Sequence, residues 1–152
     1  MTNILIHTRI ATPRDAADFI RLNAIFNEIT LTQAQAAKNL ATCTERVILA
    51  EVDGRAVGFA CVLMLQLVCY PEFGAEITEL FVDEAHRRQG VGAALLQHAE
   101  QLCREVGANN ITICTGFDNV MAQRLYHKLG YINDDIRLRK KLQDTASSLV
   151  EP

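Results

Sequence analysis

The fold of this chain is constrained most by residues 76–96, where a strand, a short basic loop and an amphipathic helix follow one another directly. The loop carries Arg87 and Arg88, and Gly90 and Gly92 mark its junction with the helix. Glycines at such a junction let backbone N–H groups approach a ligand closely, and the first helical turn adds unpaired donors and a partial positive charge. The stretch therefore predicts a loop that binds a phosphate.

The two glycines fit neither of the most familiar phosphate-binding fingerprints. A dinucleotide-binding loop would need a third glycine where Leu95 stands, and a P-loop would need a lysine where Val91 follows Gly90. The pattern that does fit is Arg-x-x-Gly-x-Gly, which runs from Arg87 to Gly92. In these residues the chain resembles the GNAT superfamily of N-acetyltransferases, whose loop for the pyrophosphate of coenzyme A follows the same pattern.

Hydrophobic periodicity and turn residues predict strands and helices in the order β, α, α, β, β, β, α, β, α, β. The strands are expected at 4–10, 45–52, 55–68, 75–82, 110–115 and 136–142, and the later helices at 32–41, 90–106 and 119–128. The first helix is expected to begin at Thr12, which caps it, ahead of Pro13. Strands joined by short turns, such as Asp53 with Gly54, pair antiparallel. The strand–helix–strand unit around the glycine loop is expected to be parallel.

This order of elements is that of the GNAT fold, and the resemblance covers most of the chain, from Arg9 to Leu142. It implies an α+β protein in α/β/α layers, with a mixed, mostly antiparallel central sheet flanked by helices. Since the sequence contains no linker or repeat, it predicts a single domain over residues 1–145, followed by a short polar tail at 146–152.

Composition limits the classes of partner. The 152 residues carry a net charge of −3, with charges of both signs mixed along the chain, which argues against nucleic acid as a partner. The N-terminus has no basic region followed by a long apolar segment, and the longest apolar run, residues 56–70, is too short to span a bilayer. A cytoplasmic protein without membrane contact is therefore expected.

The cysteines and histidines give no sign of a metal site or of a disulfide framework. The cysteines are odd in number, widely spaced and mostly within apolar runs, so reduced and buried thiols are expected at Cys43, Cys61, Cys69, Cys103 and Cys114. The histidines lack metal-ligand spacing. His98 and His127 fall on predicted helices and are expected to face solvent, whereas His86 is expected to be structural or near the phosphates.

The resemblance implies acetyl-CoA as the acetyl donor and assigns its binding site. The pyrophosphate would be held by the loop and the first helical turn, which comprise Arg87, Arg88, Gln89, Gly90, Val91, Gly92 and Ala93. The pantetheine arm would lie along the preceding strand at Leu80, Phe81 and Val82, with a backbone N–H of this region facing the thioester oxygen. Asn119 would cap the next helix, and it matches a family position that contacts the same arm.

The departing thiolate needs a proton, and Tyr126 is the candidate general acid. Residues 125–131 resemble the family's Tyr-x-x-x-Gly-Phe/Tyr segment, in which the tyrosine hydroxyl lies near the coenzyme sulfur. A phenol with an ordinary pKa of about 10 keeps its proton at neutral pH and can donate it to a thiolate.

The general base has several candidates. Glu79 is the first, because members of the family often carry an acidic residue at this position, and Glu76 is the second. Their odd separation along a strand is expected to place the two side chains on opposite faces. Thr78 departs from the family pattern, since polyamine-acetylating relatives often have glutamate there. Transfer through water, or an acceptor that arrives neutral, would remove the need for a strong base.

Together these features predict an N-acetyltransferase that transfers the acetyl group of acetyl-CoA to a primary amine of a small molecule or peptide, by direct attack in a ternary complex. The alternatives are a catalytically inactive acyl-CoA-binding sensor or interaction module, and a plain structural domain. The resemblance implies that the acceptor pocket is lined by the first helices and by later loops, and acidic residues in these segments suggest a cationic acceptor, namely Glu28, Glu72, Asp134 and Asp135. The family often pairs through a sheet edge, so a homodimer is a further expectation.

Overall fold

The structure is a computed structural model that describes residues 4–142. Its strands are β1 (Ile6–Ile10), β2 (Arg46–Val52), β3 (Arg55–Gln66), β4 (Phe73–Val82) and β5 (Ala108–Ile113). Its helices are α1 (Ala16–Asn27), α2 (Gln33–Thr42), α3 (Val91–Glu105) and α4 (Val120–Lys128), and short 3₁₀ turns at Pro13–Asp15 and Glu84–His86 precede α1 and α3. The order agrees with the sequence prediction as far as α4. The predicted tail at 146–152 lies outside the described residues.

The strands form one sheet in the order β1-β2-β3-β4-β5. The first four strands pair antiparallel, and β4 pairs parallel with β5, so α3 is the crossover between them. Asp53 and Gly54, both at positive φ, make the tight turn between β2 and β3. The mixed, mostly antiparallel sheet flanked by helices confirms the predicted fold class.

Each face of the sheet carries its own hydrophobic core. On the face covered by α3, the buried side chains include Ile48, Val57, Ala60, Val62, Ala75, Ile77, Leu95, Leu96 and Ala99. On the face covered by α1, they include Leu22, Val47, Leu49, Phe59, Cys61 and Phe81. The helical spacing of Val91, Leu95, Leu96 and Ala99 gives α3 one apolar side, and that side is fully buried. The core to which a strand residue belongs therefore shows which face of the sheet its side chain points to.

Within residues 4–142, no helix has the length and apolar character needed to cross a membrane.

The final predicted strand is wrong, because residues 136–142 form no strand in the structure. The apolar side chains that suggested it are exposed, with Ile136 at 85%, Leu138 at 89% and Leu142 at 90%. Alternation favours an extended chain, but a strand also requires a neighbouring backbone to pair with. The segment is instead attached through its side chain Arg137, which donates to Glu76 at 2.6 Å.

The expectation of buried cysteines is wrong for three of the five. Cys61 and Cys103 are buried, but Cys43, Cys69 and Cys114 are exposed. Each exposed cysteine follows the end of a helix or strand, where apolar neighbours in sequence do not provide cover in space.

The prediction that His98 faces solvent is also wrong. The ring is partly buried between α3 and β1, and its Nδ1 lies 2.8 Å from the hydroxyl of Thr8.

Candidate active site

The parallel pairing between β4 and β5 stops halfway along β4. The last pair is Ile77 with Ile113, whereas β4 continues to Val82. Beyond Ile77, residues 79–82 are paired only on their other side, with β3. At about 3.3 Å per residue, this leaves about 16 Å of strand edge whose backbone N–H and C=O groups have no β5 partner. Such an edge can pair with the amides of an extended ligand.

The glycine loop lies at the end of this open edge. Arg88 and Gly90 have positive φ values of 58° and 90°, and at Gly90 the chain turns into α3, whose first backbone N–H groups have no acceptor within the helix. Val91 is buried, so only its backbone can contribute to the loop surface. The loop thus presents unpaired N–H groups, a helix N-terminus and an exposed arginine at one place.

Two polar side chains of the loop are occupied in holding its shape. The Nε–H of Arg87 donates to the carbonyl of Val82 at 2.9 Å, and the amide of Gln89 donates to the carbonyl of Ala85 at 3.0 Å. Arg88 is exposed in the structure. Of the two arginines that the sequence suggests for phosphate binding, Arg88 is therefore the one without such a tie to the loop backbone.

Tyr126 lies on the α3 side of the sheet. It packs against the core of that face together with Leu80 and Val82. Burial raises the pKa of the Tyr126 phenol, so the hydroxyl is protonated throughout the neutral range. The helix that carries it is capped by Asn119, whose Oδ1 accepts from the N–H of Ala122 at 3.2 Å. The second ring of the predicted segment, Tyr131, is bound differently, because its hydroxyl donates to Glu100 at 3.2 Å.

Glu79 lies on the other side of the sheet. It is paired with Cys61 of β3, and it comes two residues before Phe81, whose side chain belongs to the core under α1. The open edge of β4 therefore runs between a tyrosine on one face and a carboxylate on the opposite face. Burial, followed by the negative charge of Glu45, raises the pKa of Glu79, which makes its carboxylate a stronger base.

The prediction that Glu76 and Glu79 point to opposite faces is wrong. The register between β3 and β4 shifts near Thr78, because Cys61 pairs with Glu79 while the next residue, Val62, pairs with Ile77. The extra residue in this bulge cancels the odd separation, so both glutamates lie on the α1 face. Glu76 is already paired there with Arg137.

Glu45 is a residue of this site that the sequence reasoning missed. It precedes β2, and its carboxylate accepts a hydrogen bond from the hydroxyl of Thr78 in the bulge. Its influence also reaches Cys61, since burial and the charges of Glu45 and Glu79 together raise the pKa of that thiol. The contact joins residues distant in the sequence, and no local pattern around Glu45 could have indicated it.

The predicted acceptor segments are spread over the molecule. Residues 70–74 lie at the start of β4, and a cavity of about 340 Å³ is present there, lined by Leu67, Tyr70, Glu72, Gly74, Asn109 and Asn110. The ten residues of β4 separate this cavity from the glycine loop by about 30 Å. Glu28 ends α1, and Asp134 and Asp135 lie exposed after α4. Among the residues from 4 to 142, no group of three or more potential ligands could hold a metal ion.

Comparison with known proteins agrees with this fold. A solved structure described as ribosomal-protein-alanine N-acetyltransferase, from Brucella melitensis biovar Abortus 2308, superposes with a TM-score of 0.80 at 18% identity, covering 91% of this chain and 100% of the other. At that identity the match shows a shared fold. The sequence profile of the Acetyltransferase (GNAT) family matches residues 16–131.

The chain belongs to the Acetyltransferase (GNAT) family, which is a family of acyltransferases. It is 30% identical over 128 residues to an uncharacterized N-acetyltransferase of Archaeoglobus fulgidus, which covers 78% of this chain and 87% of the relative. It is 32% identical over 82 residues to human N-acetyltransferase 8, and this match spans 54% of the chain but only 36% of the human protein.

Proposed function

We propose that this protein is an N-acetyltransferase that moves the acetyl group of acetyl-CoA to a primary amine by direct attack within a ternary complex. The observation that carries the proposal is the open edge of β4, which ends at the glycine loop and has Tyr126 and Glu79 on its two sides. A long ligand with a diphosphate, two amides and a thioester matches the groups presented along that edge.

The geometry of the edge and the loop supports a role in binding for the following residues. The backbone N–H groups from Gly90 to Ala93 and the guanidinium of Arg88 face the diphosphate, while Arg87 and Gln89 keep the loop in shape. Leu80, Phe81 and Val82 contribute backbone groups to the amide arm, because their side chains pack into the two cores. Asn119 fixes the start of α4 and thereby the placement of Tyr126.

The chemistry needs one base, one oxyanion donor and one acid. Acetyl-CoA supplies an activated acyl group as a thioester. Glu79 takes the proton of the acceptor ammonium, directly or through water, and the neutral nitrogen forms the new C–N bond. A backbone N–H near Leu80 donates to the thioester oxygen. Tyr126 gives its phenolic proton to the sulfur as the C–S bond breaks. The second proton that the nitrogen loses as the amide forms returns to the Tyr126 phenolate through solvent, so the net proton released is the one held by Glu79.

Direct attack is favoured over a covalent acyl-enzyme at Cys61 by the state of its thiol. Cys61 pairs with Glu79 in the sheet, and its thiol is buried. Burial and neighbouring carboxylates raise the pKa of this thiol, so the reactive thiolate is suppressed. The acceptor amine is therefore the nucleophile.

The test is a thiol-release assay with acetyl-CoA against aminoglycosides, polyamines, amino acids and short peptides. We expect release of coenzyme A that depends on one class of amine, and strong loss of that release in Glu79→Gln. Binding of acetyl-CoA by calorimetry without turnover on any amine would favour an acyl-CoA sensor instead. Failure to bind acetyl-CoA at all would favour a structural domain. Cytoplasmic location and homodimer formation stay predictions.

A further inference from the structure

The bulge in β4 brings a second carboxylate to the candidate base. Because Thr78 is the additional residue of the bulge, the strand places both Thr78 and Glu79 near Cys61 of β3. The Thr78 hydroxyl bonds to the carboxylate of Glu45 and lies 3.4 Å from the carbonyl of Cys61. The segment before β2, strand β3 and strand β4 therefore meet at this group of hydrogen bonds, beside the open edge of β4.

We propose that Glu45 is a positioning residue of the acceptor site, held by the Thr78 hydroxyl so that its negative charge faces Glu79 and the incoming amine. This inference rests on the proposed function, which makes Glu79 the base. It narrows the acceptor to an amine that arrives as an ammonium ion, because two neighbouring carboxylates attract a cation and disfavour a neutral or anionic acceptor.

The surroundings of Glu79 leave Glu45 as its main charged neighbour. From β3 the facing titratable group is the buried thiol of Cys61, and on its own strand Glu76 is neutralised by Arg137. From α1, Phe26 packs against Phe81, two residues after Glu79 in β4, with ring centres 5.2 Å apart. Both carboxylates are partly buried, so the repulsion between them is screened less than between fully exposed groups.

The charge of Glu45 should affect how kcat/KM depends on pH. A carboxylate beside Glu79 makes protonation of Glu79 easier, which agrees with the raised pKa of that residue. The base is active only when deprotonated, so kcat/KM should rise with pH through the pKa of Glu79. Removing the charge of Glu45 should move this acidic limb to lower pH, and the lost attraction for the ammonium ion should lower the plateau of kcat/KM.

The decisive measurement does not need turnover. The carboxyl group of Glu79 is titrated by 13C NMR in the full chain, with its signal assigned through Glu79→Gln. In Glu45→Gln we expect its pKa to fall by about half a pH unit or more, the size expected for two carboxylates at a partly solvated site. Thr78→Val, which frees the Glu45 carboxylate, should shift the pKa of Glu79 in the same direction. Thr78→Ser keeps the hydroxyl and should leave the pKa of Glu79 at its unmutated value.

The matched control is Glu72→Gln, which removes the same charge from the start of β4, far from Glu79. Glu72→Gln should leave the pKa of Glu79 unchanged. An equal pKa in Glu45→Gln and in the unmutated protein would overturn the inference while leaving the proposed acetyl transfer untouched. A lowered pKa in a chain that acetylates no amine would support the coupling of the two carboxylates and overturn the proposed function.

Discussion

Gly92 of α3 lies directly against Leu125 of α4. A Cβ atom at Gly92 would stand 3.1 Å from Cδ2 of Leu125, which is closer than ordinary van der Waals contact, and 3.9 Å from Cγ2 of Val82. Leu125 immediately precedes Tyr126, so the small size of Gly92 sets how closely the helix with the candidate acid approaches the glycine loop. The loop and the tyrosine are therefore one packed unit.

Replacing Tyr126 with phenylalanine removes the candidate acid and retains the packed ring. We expect kcat to fall by about 10²-fold to 10⁴-fold, because the thiolate would leave without a proton. The dissociation constant for acetyl-CoA, measured by calorimetry, should stay within about twofold, since the loop and the edge of β4 are unaffected.

Tyr131→Phe is the matched control for this substitution. The ring of Tyr131 lies 6.0 Å from that of Tyr126, but its hydroxyl is bound to Glu100. Its kcat should remain within a few fold of the unmutated value. Equal losses in the two variants, or no loss in Tyr126→Phe, would remove Tyr126 from the mechanism.

Gly90→Ala tests whether the loop binds acetyl-CoA. Gly90 has a φ of 90°, which an alanine adopts only with strain, although a Cβ there would meet only Ile6 at an ordinary 3.7 Å. We expect the loop to relax out of its observed shape, and acetyl-CoA affinity to fall about tenfold or more by calorimetry. The melting temperature should fall as well, because the strain costs about 1–2 kcal/mol.

Gly54→Ala is the control that separates the loss of acetyl-CoA affinity from the loss of stability. Gly54 also has a positive φ, 76°, with no atom within 4 Å of an added Cβ, and it lies in the turn between β2 and β3. The control should lose a similar amount of stability and bind acetyl-CoA normally. Equal affinities for Gly90→Ala and the unmutated chain would show that the shape of the loop is not needed for binding.

The candidate bases are distinguished by a paired substitution. Glu79→Gln should lower kcat/KM by about 10²-fold or more and abolish the acidic limb of its pH profile, because the proton acceptor is lost. Glu76→Gln should change kcat/KM only a few fold, since Glu76 is already bound to Arg137 at 2.6 Å. Stopped-flow thiol release over a range of pH measures both. A larger loss in Glu76→Gln than in Glu79→Gln would reverse the assignment.

The backbone shape of the glycine loop and the position of Tyr126 on a helix could be predicted from the sequence because each is encoded locally. Gly90 has the positive φ that its position before α3 suggests, and Asn119 caps the helix that carries the tyrosine. The candidate acid, the glycine loop and the strand before that loop lie within residues 73–126. Their relative placement follows from one parallel strand–helix–strand unit.

The remainder of the site depends on contacts that sequence periodicity does not encode. The bulge at Thr78 reverses the expected direction of Glu76 relative to Glu79, because one extra residue changes the face of everything before it. Glu45 joins through a contact between distant segments. The alternation around Ile136 suggested a strand, but alternation does not supply a pairing partner.

A charged cluster at the start of the chain predicts acid sensitivity. Arg9 donates to both oxygens of Asp15 at 2.9 and 2.7 Å and also to Glu51 of β2 at 2.6 Å. The hydrogen bonds from Arg9 lower the pKa of Asp15 from 3.8 to about 2. The stability that Asp15 contributes is therefore complete above its ordinary pKa, and it should be lost as the pH falls from about 4 to about 2.

Asp15→Asn should lower the free energy of unfolding by about 1 kcal/mol at pH 7, a modest value because the cluster is partly solvated. The side chain also caps the turn before α1 by accepting from the N–H of Thr12 at 2.7 Å. Asp18→Asn is the control, since Asp18 pairs with Arg21 at the surface and should cost less than about 0.5 kcal/mol. Urea unfolding at pH 7 and at pH 3 measures both. The difference between Asp15→Asn and the unmutated protein should shrink at pH 3, and a difference independent of pH would show that the charge of Asp15 does not account for its contribution to stability.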